Sequence, residues 1–115
     1  MKVIIAGGRE FMNYGLLKTK CDYLLKNKTE VEIVSGKAKG ADSLGELYAK
    51  ENNYPIHEFP ANWNMHGNAA GPIRNQEMGN FADVLIAFWN GESKGTKHMI
   101  DYMRFLNKPV KIVYY

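Results

Sequence analysis

Short apolar, β-prone runs alternate with segments of helical period from one end of the chain to the other. Lys2 to Ala6 is almost wholly apolar and is stopped by Gly7-Gly8, as expected of a strand buried on both faces. Tyr14 to Lys26 carries Leu17, Cys21, Leu24 and Leu25 at helical spacing. Val31 to Val34 is a second strand, stopped by Ser35-Gly36. Ala41 to Asn52 sets Leu44, Leu47 and Tyr48 on one side of a helix. Ile56 to Phe59 is a third strand, entered through Pro55. Pro60 to Gly71 has no clear period and reads as a loop. Pro72, taken as a first helical position, then starts a helix reaching about Phe81. Asp83 to Phe88 is a fourth strand, Thr96 to Leu106 a helix with Met99, Met103 and Leu106 inward, and Val110 to Tyr114 a fifth strand.

Five strands alternating with four helices imply βαβ units, hence a parallel sheet with helices on both faces. The expected fold is a Rossmann-like α/β domain. The 115 residues fit one domain, 1–115, with a hydrophobic fraction of 45% and a charged fraction of 23%. In a parallel sheet all strand exits lie on one rim, so Gly7-Gly8, Ser35-Gly36 and Asn90-Gly91 converge there. Ligands of open α/β sheets bind at that rim.

The chemistry expected at the rim is anion binding. Gly7-Gly8-Arg9 follows the first strand directly, but the G-x-G-x-x-G spacing of a dinucleotide fingerprint is missing. The second strand ends in Ser35 rather than in an acidic residue that would hold a ribose. Ser35-Gly36-Lys37-Ala38-Lys39-Gly40-Ala41-Asp42 is no Walker A motif, yet it brings small residues and two lysines to a helix start. Asp42 there either caps the helix or accepts from a ligand hydroxyl. Arg74, followed by Asn75, is expected in the first turn of its helix, where its charge opposes the dipole. That points to a phosphate, or to Glu77 one turn on as a partner. Ser93, Gly95 and Thr96 offer hydroxyls and N–H groups at the last helix start. Trp89 would stack on a base or roof the core, and Trp63 lies in the polar loop between the third strand and the next helix.

Other classes fall away. The net charge of +3 permits a nucleotide or nucleic-acid ligand without demanding one. Cys21 is a lone cysteine on an apolar stripe. His57, His66 and His98 form no metal-spaced pair, so neither a metal nor a cofactor is expected. No apolar run reaches membrane-spanning length, and the opening lacks a signal-peptide core, so the expectation is a soluble, cytoplasmic protein with no membrane partner.

The ordered set Ile5-Ala6-Gly7-Gly8-Arg9, Ser35 to Asp42, Gly71-Pro72-Ile73-Arg74-Asn75 and Ser93-Lys94-Gly95-Thr96 resembles the SLOG superfamily of nucleotide-binding domains, in particular its YspA/cpYpsA-related branch of bacteria and phages. The resemblance implies a nucleotide-derived ligand, ADP-ribose-like or a nucleoside phosphate, and a homodimer. Two related families frame the alternatives. The LOG phosphoribohydrolases are similar at Arg74, Ala82-Asp83 and Gly95-Thr96, but His98 and Met99 stand where their glutamates are needed. Hydrolysis would then fall to Glu77, Asp42 or Arg74. The DprA proteins, which bind single-stranded DNA, are similar at Ser35 to Asp42 and at Arg74-Asn75, with Gln76 in place of a further arginine. The implied ligand-binding set is Gly7, Gly8, Arg9, Ser35, Gly36, Lys37, Asp42, Trp63, Arg74, Asn75, Trp89, Ser93, Gly95 and Thr96. Recognition without turnover is the favoured reading.

Overall fold

The computed structural model describes residues 1–115. Five strands, β1 (Lys2–Gly7), β2 (Glu32–Ser35), β3 (Ile56–Glu58), β4 (Val84–Trp89) and β5 (Val110–Tyr114), form one parallel sheet in the order β3-β2-β1-β4-β5. The connections are α1 (Tyr14–Leu25), α2 (Ala41–Glu51), α3 (Trp63–His66), a 3-10 turn (Gly67–Ala69), α4 (Ala70–Phe81) and α5 (Lys94–Phe105). The strand order reverses between β1 and β4. Their exit loops therefore part company and leave a crevice.

Successive residues of a strand face opposite sides of the sheet, and β1 shows the consequence directly. Val3 and Ile5 join Leu17, Cys21 and Leu25 of α1 and Ala41, Tyr48 and Ala49 of α2 in one core. Ile4 and Ala6 join Met78 of α4 and Met99, Ile100 and Met103 of α5 in the other. Helices cover both faces, as the alternating pattern requires. Cys21 is fully buried, and that burial pushes its thiol up to about 12. No helix is long and apolar enough to cross a membrane.

Three expectations are corrected. The stretch 60–71 is not a plain loop: Asn62 caps α3 by accepting from the Met65 N–H at 3.1 Å, and the 3-10 turn runs straight into α4. Consequently α4 starts at Ala70 and Pro72 is its third residue. Proline is tolerated there because the first N–H groups of a helix have no intrahelical acceptor. Arg74 falls in the second turn, so the argument from an opposed dipole does not apply. Finally, Leu47 does not share the inner face of α2; it is exposed, while Tyr48 is buried as expected and is joined by Ala41, Gly45 and Ala49.

The small-residue face of α2 has a packing reason. A Cβ on Gly45 would lie 2.9 Å from Ile5 Cβ, so the helix backbone rests directly on β1. Gly45→Leu is expected to destabilise the fold by about 1–3 kcal/mol through overpacking. The check is a lower urea midpoint with an unchanged m-value; an unaltered midpoint would contradict this packing.

Candidate functional site

A cavity of about 530 Å³ opens at the crevice between the β1 and β4 exits. Its walls are Gly7, Arg9 and Glu10 after β1, Ala38 and Asp42 after β2, Trp63 of α3, Arg74, Asn75 and Met78 of α4, and Ser93 to Thr96 with His98 and Met99 of α5.

The rim is tied together by backbone contacts that require small residues. The Gly8 carbonyl accepts from the N–H groups of both Phe11 and Ala41, at 3.2 Å each, and the Gly8 N–H donates to Phe88 O. These bonds press the β1 loop onto the start of α2. Gly40 sits in the contact with φ of 77°, and a Cβ there would lie 2.2 Å from Gly8 O. Any side chain would be both strained and excluded.

Arg74 is the centre of the site. Its Nη1 donates to the Gly36 carbonyl at 2.5 Å and its Nε to Asn75 Oδ1 at 3.1 Å. No carboxylate pairs with it. Partial burial lowers its pKa, the charge of Asp42 opposes that shift, and the charge of Arg9 adds to it. Gly36 allows the approach, because a Cβ there would lie 2.6 Å from Arg74 Nη1 and 2.8 Å from Asp42 Oδ2.

Asn75, 7% exposed, carries this order across to α5. Arg74 Nε can only donate, so it must meet the amide oxygen. The amide nitrogen then faces Gly95 O and His98 Nδ1, both at 3.2 Å. His98 Nδ1 is thereby the acceptor, and the proton of the neutral ring sits on Nε2. At the head of α5, Asn90 Oδ1 accepts from the N–H groups of Glu92 and Ser93, and Ser93 Oγ shares a 3.0 Å hydrogen bond with Thr96 Oγ1 while capping the Thr96 N–H at 3.4 Å. The Lys94 and Gly95 N–H groups are among the helix-start donors that the helix itself leaves unused. Space beside Gly95 is open.

Two carboxylates enter the cavity. Asp42 is 5% exposed and accepts from the Ala38 N–H at 3.3 Å. Burial pushes its carboxyl up to about 6, against the pull of that N–H and of Arg74. Glu10 accepts from the Tyr115 hydroxyl at 2.5 Å, which holds it below the usual carboxylate range.

Several residues expected at the ligand are committed elsewhere. The Ser35 hydroxyl is buried and donates to Glu46 Oε2 at 2.6 Å while accepting from the Lys37 N–H. Lys37 pairs with Glu58 at 2.8 Å and Glu46 at 3.4 Å. Trp89 Nε1 donates to Ser93 O at 3.1 Å and its ring packs against Tyr114, so it braces the loop rather than facing the cavity. Gly8 has both backbone groups engaged, as above. Glu77 is exposed, lies outside the cavity walls and makes no ion pair with Arg74. At its place on α4, two residues past Asn75, it projects away from the buried side of the helix. In turn, Glu10, Lys94 and Asn90 contribute to the site without having been assigned roles from sequence, while His98 lines the cavity at the rim. The buried Glu46 that anchors Ser35 was likewise unassigned, since a glutamate at one position of a helix looks like surface. No group of three or more His, Cys, Asp or Glu side chains is arranged to hold a metal.

A folded-state carboxyl pKa raised from 3.8 to about 6 favours folding only while the group is protonated. Its contribution is present below about pH 4 and is lost as the pH rises through about 6, for a total of roughly 3 kcal/mol at most. Asp42→Asn is therefore expected to be more stable than the parent at pH 7. The gap should shrink as the pH falls from about 6 to about 4. Denaturant midpoints of the two proteins across that range check this, and a gap independent of pH would contradict it.

The family described as YspA, cpYpsA-related SLOG matches residues 1–66, which carry the β1 and β2 loops but neither Arg74 nor the α5 start. The Gene 61 protein of Mycobacterium phage D29 is 32% identical over 104 residues, covering 84% of this chain and 83% of that protein. Among solved structures, DNA processing protein A from Streptococcus pneumoniae superposes with a TM-score of 0.76 at 18% identity, over 96% of this chain and 49% of that one. DNA processing protein A from Helicobacter pylori, solved for its single-stranded DNA binding mode, superposes with a TM-score of 0.70 at 20% identity, over 97% and 64%. This chain thus spans from half to just under two thirds of those two proteins, and at such identities the likeness is one of fold.

Proposed function

The chain belongs to the YspA, cpYpsA-related SLOG family, and from that premise we propose that it binds a nucleotide or nucleotide-derived ligand in the rim cavity and does not turn it over, acting as a sensor or sequestering protein. The observation that carries the proposal is the meeting of an unpaired Arg74 with the α5 start in one cavity at the point of strand reversal. A phosphate there takes the Lys94 and Gly95 N–H groups together with the positive end of the helix dipole. Arg74 spends Nε and one Nη1 hydrogen on the fold and keeps the rest of its fork for the ligand. Asp42 accepts from a ribose hydroxyl, and Trp63, half exposed over the cavity, covers the base.

The absence of turnover rests on the carboxylates. Cleavage of an N-glycosidic bond builds positive charge on the ribose, which a fixed carboxylate stabilises. On α5, where the LOG glutamates would stand, the cavity receives His98 and Met99; Glu77 is outside it, and the two carboxylates that do enter are engaged, Asp42 by the Ala38 N–H and Glu10 by the Tyr115 hydroxyl. One observation favours the hydrolase reading: burial raises the Asp42 carboxyl to about 6, toward the range a general acid uses. The fold shared with a single-stranded DNA binding protein favours strand binding as the third reading.

Calorimetric titration with AMP, ADP-ribose and single strands of increasing length, followed by analysis for released base, separates the three. The expected result is saturable binding of a small nucleotide, no free base, and a loss of about tenfold or more in affinity for Arg74→Ala. Release of base that Asp42→Asn abolishes would establish hydrolysis. Affinity that rises steadily with strand length and falls steeply with salt would establish DNA binding.

A further inference from the structure

The main cavity does not end at Trp63. A second cavity of about 430 Å³ adjoins it, lined by Gly36, Lys37, Ala38, Lys39, Pro60 and Ala61. Arg9, Ala38, Trp63 and Arg74 line both. Each volume falls within the range of about 300–1,000 Å³ common to small-molecule sites. The seam between the two carries two guanidinium groups with no carboxylate partner, and the charge of Arg9 works against that of Arg74. An anion placed at the seam would meet both charges and relieve their repulsion. Trp63 stands at the same seam, half exposed, with its ring edge 3.6 Å from the point a Gly71 Cβ would occupy. Beyond the seam, Lys37 is engaged by Glu46 and Glu58, whereas Lys39 is exposed and unpaired.

We propose that the site takes two nucleosides joined through phosphate, one in each cavity, with the linking phosphate between Arg9 and Arg74 and a base stacked on Trp63. The inference rests on the nucleotide-binding reading and specifies its ligand class. Aromatic stacking accepts any base, because every base has a π-face. Lys39 meets the outer nucleotide. The same chemistry is presented by a free dinucleotide and by the end of a single strand.

The test is titration of the full chain with deoxyadenylate mononucleotide, dinucleotide and a longer single strand, read by calorimetry and by quenching of tryptophan emission. The dinucleotide is expected to bind about tenfold or more tightly than the mononucleotide. Trp63→Ala should remove most of the quenching, leaving Trp89 as the residual emitter. Lys39→Glu should cut the dinucleotide-to-mononucleotide affinity ratio several-fold, with an unchanged melting temperature showing that the fold is intact. A longer strand that binds as the dinucleotide does identifies a strand end as the source, and one that is excluded identifies a free dinucleotide. Equal affinities for mononucleotide and dinucleotide overturn the two-compartment site while leaving nucleotide binding in place. Affinity that keeps growing with strand length overturns it in favour of an extended groove. Binding of none of these probes overturns the nucleotide reading itself.

Discussion

The hydrogen bond from Arg74 to the Gly36 carbonyl fixes the geometry on which the rest of the site depends. It crosses the sheet's upper rim, from the second turn of α4 to the loop after β2. It exists because Gly36 has no side chain where the guanidinium lies. Half-burying a cation without a carboxylate partner costs free energy. Here the cost is offset by one carbonyl, one side-chain amide and the nearby charge of Asp42, which stops short of an ion pair. None of these neutralises the arginine. The result is a positive charge held in place and left unsatisfied toward the cavity, as a binding site for an anion requires.

From that fixed point, order propagates through Asn75 to α5. The amide cannot turn over without setting a donor against Arg74 Nε, so its nitrogen stays on the Gly95 carbonyl and His98. The start of α5 is thus positioned by α4 as well as by its own Ser93 cap. The glycine contacts among Gly8, Gly40 and Ala41 do the same for the opposite wall. The cavity is a consequence of strand order: β1 and β4 are neighbours whose connections leave toward opposite faces, and the crevice between them receives both Arg74 and the start of α5.

Much of this was legible in the sequence. Positions of β1, β2 and β4 followed from apolar runs ended by glycine, and the β5 limits agree residue for residue. The convergence of Gly7, Arg9, Asp42, Arg74, Asn75, Ser93, Gly95 and Thr96 on one cavity follows from parallel topology alone, because every strand exit shares a rim. What escaped has identifiable causes. The short α3 is too brief to show a period, and only the Asn62 cap marks it. The inner face of α2 is built from alanine and glycine, so a search for large apolar residues selected Leu47 instead. Ser35 and Lys37 have the composition of a ligand loop, but a glutamate eleven residues beyond Ser35 claims the serine, and that pairing is visible only in three dimensions. Trp89 illustrates the same limit, since its indole N–H is used by a carbonyl four residues on.

Chemical-shift mapping of the isotope-labelled protein with AMP tests the central claim most directly, because it reports where an anion lands rather than whether one binds. The account predicts that the largest changes fall on the Lys94 and Gly95 amides and on the Arg74 Nε–H, with the Glu77 amide and the β5 edge unaffected. Saturable changes confined to other surfaces, with Arg74 and the α5 start unmoved, would contradict it.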